Sequence, residues 1–344
     1  MISYKRIEKS PVELTKQDFV SDQMVKWCPG CGAHAILAAV GNVFPKIGYR
    51  KENFAMVSGI GCSSRFPYYV DTFGFHGIHG RASAIASGLK IANPGLSVWV
   101  ATGDGDSMAI GGNHFIHVIR RNIDINILLF NNQIYGLTKG QFSPTTPLGS
   151  VTKTSPHGTI EHPFTVSGLV MGSQGTFFAR VPDNNIKLMT EVLYEAAKHD
   201  GTSVVEILQN CIIFADKVHE QVTNRDTREE RQLFLKHGEP MIFGKDLDKG
   251  IILNGTRLEV VELGKNGINE GDLLVHDMYT RDPGIHRMLG WMKPPHFPVA
   301  MGVIRAAPAD TYDDLTERQI ETAKKNSKIQ TVNDLLRSGD TWEI

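Results

Sequence analysis

Apolar and polar positions along the first two-thirds of the chain follow two different periods. In "AILAAVGNVFPKI" the apolar residues Ile36, Val40, Val43 and Ile47 recur three or four apart, which places them on one face of a helix. "NFAMVSGIGC" is a short apolar run ending in glycines, the pattern of a buried strand entering a loop. "HGRASAIASGLKIANPG" predicts a second helix, with Ala and Ser on its packing side and Asn-Pro-Gly closing it. "LSVWVATGDGD" predicts another buried strand ending in a loop. "NHFIHVIRRN" predicts a helix with Phe115, Val118 and Ile119 turned inward, and "INILLFNNQ" the strand after it. "GTSVVEILQNCIIF" is a further buried strand, running to Cys211. Strands this apolar, alternating with amphipathic helices, predict an α/β fold: a mostly parallel sheet with helices on both faces.

The pattern shifts after residue 215. "ADKVHEQVTNRDTREERQLFLKHGEP" is strongly charged and reads as a linker or a solvated helix. "GIILNGTRLEVVELGKNGINEGDLLVHD" sets Asn-Gly and Gly-Lys-Asn-Gly between apolar runs, which predicts a small β-rich appendage. "LTERQIETAKKNSKIQTVNDLLRSGDTWEI" reads as one or two polar helices. The expected division is a main domain over residues 1–235 and a C-terminal extension over 236–344, with no internal repeat.

Composition narrows the functional classes. The chain has 344 residues, 41% hydrophobic and 21% charged, as in a soluble protein with a substantial core. Lys plus Arg number 36 against 37 for Asp plus Glu, so no basic excess points to nucleic acid. The longest apolar runs, "INILLF" and "SVVEIL", are strand-length and far short of a membrane span. "MISYKRIEKSPVELTKQ" has no apolar stretch of the kind a secretory leader needs, so a cytoplasmic protein is expected. In that compartment four cysteines point to metal or catalysis rather than disulfides.

Two groups of residues carry candidate chemistry. Gly103-Asp104-Gly105 ends one strand and Asn131-Asn132 ends the next, so both are expected at the carboxyl edge of the sheet, where open α/β folds bind ligands. The glycines let backbone approach phosphate oxygens, and the following helix offers free N–H groups. Asp104 and Asn132 supply hard oxygens suited to Mg²⁺ on a diphosphate, with the Ile134 carbonyl as a third. The paired motif resembles the thiamine diphosphate signature. The second group is "WCPGCGAH", with Cys28 and Cys31, joined by Cys62 and Cys211. From the cysteines alone, a dithiol, a zinc site and an iron–sulfur cluster compete. The dithiol leaves Cys62 and Cys211 unexplained and lacks a buried strand before its CxxC; a four-cysteine zinc site fits the count.

Taken in order, "CPGCG", "GIGCSSR", "HGIHGRA", "GDGD", "NNQIYGLTKGQ" and "QNC" resemble the β subunits of 2-oxoacid:ferredoxin oxidoreductases, the 2-oxoglutarate type in particular. The resemblance runs over residues ~20–235, while the C-terminal third carries little of it. It implies a thiamine diphosphate-binding fold and one [4Fe–4S] cluster on Cys28, Cys31, Cys62 and Cys211, since zinc beside thiamine could not carry electrons. It also implies cofactor contacts from Cys62, Ser63, His79, Gly103, Asp104, Gly105, Asp106 and Asn132, and from a closing loop of Gly136, Leu137 and Thr138. Lys139 resembles a residue facing coenzyme A phosphates. Arg65 is a candidate for a substrate carboxylate, weighed equally against a surface ion pair. His114 and His117, one helical turn apart, are read as structural. The implied reaction is oxidative decarboxylation of a 2-oxoacid, 2-oxoglutarate to succinyl-CoA and CO2, with electrons passed to ferredoxin and reversal open to it. One α/β module cannot hold both ends of thiamine, so an α subunit is expected in a heterodimer or heterotetramer. The rivals are a non-oxidative thiamine-dependent decarboxylase or carboligase subunit and a zinc-held scaffold.

Overall fold

A computed structural model describes residues 7–340 and 342. Residues 1–6, part of the stretch read for a leader, and 341, 343 and 344 of the polar tail lie outside them. In chain order the strands are β1 (Phe54–Ser58), β2 (Phe73–His76), β3 (Ser97–Gly103), β4 (Asn126–Asn131), β5 (Ile134–Tyr135), β6 (Gln141–Phe142), β7 (Phe177–Pro182) and β8 (Ser203–Leu208). Beyond them come β9 (Gln232–Phe234), β10 (Ile242–Phe243), β11 (Lys249–Asn254), β12 (Arg257–Glu262) and β13 (Val299–Ala306). The helices over the first part are α1 (Ala33–Ile47), α2 (Phe66–Tyr69), α3 (Ala82–Ala92), α4 (Asp104–Met108), α5 (Gly112–Arg121), α6 (Val166–Gly172) and α7 (Ile186–Lys198).

Eight strands form one sheet in the order β2-β1-β3-β4-β8-β7-β13-β9. The first six run parallel. Because side chains alternate along a strand, the apolar runs split between two cores. Trp99, Ala101, Leu128 and Phe130 join Ile36, Val40, Val43 and Ile47 of α1 and Met189 and Leu193 of α7. Val98, Val100, Ile127 and Leu129 join Phe115, Val118 and Ile119 of α5 and Val170 of α6. The α1 stripe and the inward face of α5 are thus the ones the periodicity marked. Gly48, at φ 72°, ends α1 in the left-handed conformation that favours glycine.

The later part of the chain departs from its pattern. The charged segment after residue 215 holds two one-turn helices, Glu220–Thr223 and Arg228–Arg231, and then β9. β13 lies fully buried, antiparallel to β7 and parallel to β9, so strands on either side of residue 235 pair with each other inside the main sheet. Arg305, seventh of the eight residues of β13, is its charged one. Its buried guanidinium donates to the carbonyls of Gly175, Thr280 and Arg281, which satisfies the charge a core would otherwise reject. The appendage is present as the antiparallel β10-β11-β12, with Asn254 opposite Arg257 across the two-residue turn Gly255-Thr256. The tail holds a 15-residue helix, Tyr312–Asn326, and a short one, Val332–Leu336. Among the described residues no helix is long and apolar enough to cross a membrane.

Candidate active site

The carboxyl ends of β1, β3, β4 and β8 lie side by side, so the loops that leave them must converge. They enclose a cleft lined by Cys62, Ser63, His79, Gly103, Asp104, Gly105, Asp106, Asn132, Ile134, Gly136, Leu137 and Thr138. All the residues expected around the cofactor are therefore brought together. Tyr135 and Gln209 line the same cleft without having been marked.

Asp104 is 2% exposed and opens the five-residue α4 directly at the end of β3, where a loop was expected. Its Oδ2 accepts from Ser143 Oγ at 2.6 Å and Thr145 Oγ1 at 2.5 Å. Burial nevertheless pushes its carboxyl up to about 6, because two hydroxyls only partly replace the water it lost. A buried carboxylate without a cationic side chain is matched in charge by a divalent ion. Asn132, one residue beyond β4, offers its Oδ1 to the Ile134 N–H at 3.2 Å, leaving that oxygen a second lone pair. These two residues fit a Mg²⁺–diphosphate unit in the chemistry of their donors. Ser143 and Thr145, in "QFSPTT", carry no local signal, since their partner Asp104 is about forty residues away.

Gly105 lies under the Tyr135 ring, and a Cβ there would stand 2.3 Å from it. The Tyr135 hydroxyl donates to the Gly105 carbonyl at 2.9 Å, and burial, reinforced by Asp104 and Asp106, pushes the phenol up to about 12. Asp106 borders the cleft, but its oxygens serve the chain. Oδ1 accepts from the backbone of Ile60 (3.1 Å) and Gly80 (2.8 Å), and Oδ2 from the Thr102 hydroxyl (2.7 Å). It thereby ties three loops of the site together. His79 Nε2 stands 3.9 Å from Asp106 Oδ1 at the half-open mouth.

The cysteines gather on the other side of Gly136. A Cβ on that residue would lie 3.4 Å from Cys211 Sγ and 3.8 Å from Cys62 Sγ, so glycine lets backbone pass between the two sulfurs. The indole of Trp27 donates to the Cys62 carbonyl at 2.7 Å, binding the CPGC loop to the next one. Gly32 donates to the Asn210 carbonyl at 3.3 Å, binding it to the Cys211 segment. Burial pushes the Cys62 thiol up to about 11, with Cys31, Cys211 and Cys28 adding to the rise and Arg65 opposing it. Cys31 is raised by burial in the same way, then by Cys211 and Cys28. Cys31 and Cys62, whose ionisation burial disfavours, fit a cationic inorganic core, whose charge reverses the effect. Among the described residues no three His, Cys, Asp or Glu side chains are grouped closely enough to hold a single metal ion.

Arg65 lies outside the cleft lining. Its Nε donates to the Tyr69 hydroxyl at 2.8 Å, which ties the guanidinium to the short helix that follows it. Lys139 is exposed on the closing loop at φ 76°, with its N–H donating to the Gly136 carbonyl. The enclosed part of the cleft is ≈ 90 Å³. That is well below the about 300–1,000 Å³ of a pocket that encloses a small molecule.

The fold and the two motifs define a thiamine diphosphate-binding domain, and residues 59–207 match the family described as thiamine pyrophosphate enzyme, C-terminal TPP binding domain. The 2-oxoglutarate oxidoreductase subunit KorB of Mycobacterium tuberculosis is 46% identical over 331 residues, covering 95% of this chain and 88% of that protein. The 2-oxoglutarate synthase subunit KorB of Archaeoglobus fulgidus is 43% identical over 196 residues, 56% of this chain and 73% of that one. A solved 2-oxoglutarate:ferredoxin oxidoreductase from Magnetococcus marinus, with 2-oxoglutarate, coenzyme A and succinyl-CoA bound, superposes with a TM-score of 0.77 at 28% identity, over 97% of this chain and 99% of that one. The chain belongs to the KorB family, the β subunits of 2-oxoglutarate:ferredoxin oxidoreductases.

Proposed function

We propose that this chain is the β subunit of a cytoplasmic enzyme that converts 2-oxoglutarate, coenzyme A and oxidised ferredoxin into succinyl-CoA, CO2 and reduced ferredoxin, and that reverses when ferredoxin is sufficiently reduced. The observation that carries this reading is the meeting of Cys62 and Cys211 with the Gly103–Asn132 cleft across the single residue Gly136, with Cys31 hydrogen-bonded to Gln209 of the same cleft. A decarboxylase without redox chemistry has no use for that arrangement. A four-cysteine zinc site would match the count of sulfurs but would leave the thiamine cleft beside it without an electron carrier.

Thiamine diphosphate, when bound, supplies the nucleophile and the electron sink for loss of CO2. Asp104, Asn132 and the Ile134 carbonyl would hold Mg²⁺ against its diphosphate. Cys28, Cys31, Cys62 and Cys211 would hold one [4Fe–4S] cluster, which supplies one-electron transfer towards ferredoxin. The chain's own contribution is charge and position. Asp104 brings a buried negative charge to the carboxyl edge of the sheet, and Tyr135 fixes the Gly105 turn beside it. Asp106 holds the backbone of Ile60 and Gly80 in register with that turn. Lys139, exposed on the loop after the cleft, faces outward where coenzyme A phosphates would lie. The enclosed space ends short of a whole cofactor, so the aminopyrimidine and the carboxylate that activates it belong to an α subunit seated over the mouth.

The test is reduction of ferredoxin or viologen by the complex of this chain with its α partner, given 2-oxoglutarate, pyruvate or branched 2-oxoacids. The expected result is coenzyme A-dependent reduction, fastest with 2-oxoglutarate, by a brown protein whose broad visible absorption bleaches on reduction. A colourless complex releasing CO2 without reducing viologen would establish the non-oxidative enzyme instead. Bound zinc without thiamine diphosphate would establish the scaffold.

A further inference from the structure

The last residue before the Cys211 loop joins the two halves of the site. Gln209 is 2% exposed and follows β8 directly, its N–H donating to the Asn131 carbonyl at 3.0 Å. Its side-chain amide is used at both ends. Oε1 accepts from Asn132 Nδ2 at 3.1 Å, and Nε2 donates to Cys31 Sγ at 3.4 Å. A continuous path of two amides therefore runs from a cluster cysteine to the asparagine of the cation site.

That path has a direction. A thiolate only accepts hydrogen bonds, so it must face the NH₂ end of Gln209. Oε1 then faces Asn132, which must answer with its own NH₂, and Asn132 Oδ1 is left turned towards Ile134 N–H and the cleft. The reverse order would consume Asn132 Oδ1 on Gln209 and present the Asn132 NH₂ to the cation. Only one of the two orders offers an oxygen to Mg²⁺.

We propose that Gln209 is a positioning residue that couples the cysteine cluster to the cofactor cation site: the ligated Cys31 thiolate orients the Gln209 amide, which orients Asn132 to present Oδ1 to Mg²⁺. The inference rests on the iron–sulfur and Mg²⁺ assignments proposed above. Such coupling is reciprocal. Cluster loading strengthens binding of Mg²⁺–thiamine diphosphate, and the N–H···S bond raises the cluster's reduction potential, since hydrogen bonds to ligand sulfur stabilise the reduced state.

Two variants separate the two ends of the amide. Gln209→Leu removes both bonds. Gln209→Glu, close in size, still accepts from Asn132 but cannot donate to sulfur. Each is purified with the α partner, and iron content, the midpoint potential from an EPR-monitored titration, and thiamine diphosphate affinity by calorimetry are measured. Gln209→Leu is expected to lower the midpoint potential and to weaken cofactor binding about ten-fold or more, the usual effect of removing a residue that orients a metal ligand. Gln209→Glu is expected to lower the potential while keeping near-normal cofactor affinity, a split that simple misfolding would not produce. If Gln209→Leu fails to fold, Gln209→Glu still decides. Wild-type potential in a variant that retains its cluster overturns the proposal, as does a Gln209→Glu protein that loses cofactor affinity. A wild-type complex with no four-iron signal overturns the cluster assignment itself, and this inference with it.

Discussion

Asp104→Asn should make the cofactor-free protein more stable while abolishing cofactor binding. The Asp104 carboxyl stands at about 6 in the fold against its ordinary 3.8, and burial is the main cause. At about 1.4 kcal/mol per pH unit, keeping it ionised near pH 7 costs the cofactor-free fold about 3 kcal/mol. With the folded value above the unfolded one, the stabilisation from protonation is complete below pH 3.8 and is lost as pH rises to about 6. Asparagine is neutral and nearly the same shape, and the Ser143 and Thr145 hydroxyls can turn to accept from its NH₂. Allowing for weaker hydrogen bonds than a carboxylate makes, the net gain is about 1–3 kcal/mol at pH 7. With Mg²⁺ and thiamine diphosphate at a hundred times their dissociation constant, the wild type gains about 2.7 kcal/mol by mass action and the variant gains nothing. The assay is thermal unfolding of the cofactor-stripped protein between pH 4.5 and 8, with and without cofactor. A variant less stable than wild type at pH 7, a variant with the wild-type pH slope, or one still stabilised by cofactor would each refute the reasoning.

The remaining expectations concern the other loops of the site. Cys211→Ser should lower the iron complement as much as Cys28→Ser despite the long gap between them in the chain, and four irons retained in Cys211→Ser would remove Cys211 from the ligand set. Gly105→Ala places a methyl 2.3 Å from the Tyr135 ring; the helix-propensity gain of about 1 kcal/mol is outweighed by overpacking of about 1–3 kcal/mol and a lost hydrogen bond. Calorimetry should therefore find weaker thiamine diphosphate binding and a less stable protein. Arg65→Met breaks the bond to Tyr69 and should lower turnover of 2-oxoglutarate and pyruvate by the same factor. A loss of about ten- to a hundred-fold confined to 2-oxoglutarate, the scale of one charged hydrogen bond, would return Arg65 to the substrate.

Much of this site was legible in the sequence because its parts are local. A strand buried on both faces must be an apolar run, and the run before Gly103 and the one before Asn131 declare two neighbouring strands of a parallel sheet. Parallel neighbours point their carboxyl ends the same way, so GDG and NN had to meet at one edge. Cys62 and Cys211, each just past a strand, were expected near it, and the four-cysteine set came from the family resemblance. The α1 stripe, the α5 face and the Asn-Gly hairpin were readable for the same reason: each repeats within a few residues.

What the sequence left open depends on which strands are neighbours, and that is fixed only by packing across the whole chain. β13 carries the apolar run of residues 299–304, but its place between β7 and β9 is set by distant segments. The carbonyls of Gly175, Thr280 and Arg281 with the His286 ring make Arg305 tolerable in the sheet. Arg65 follows the cysteine loop closely in sequence, yet the short helix after it carries Tyr69 round to take its guanidinium. Asp106 looks like part of a diphosphate motif, and its oxygens are claimed by Ile60, Gly80 and Thr102 from three separate segments. Gln209 bridges Asn132 and Cys31 only because β8 lies beside β4 and the CPGC loop folds back over both. Periodicity determines what each segment is; hydrogen bonds between distant segments need the strand order before a side chain can be assigned its partner.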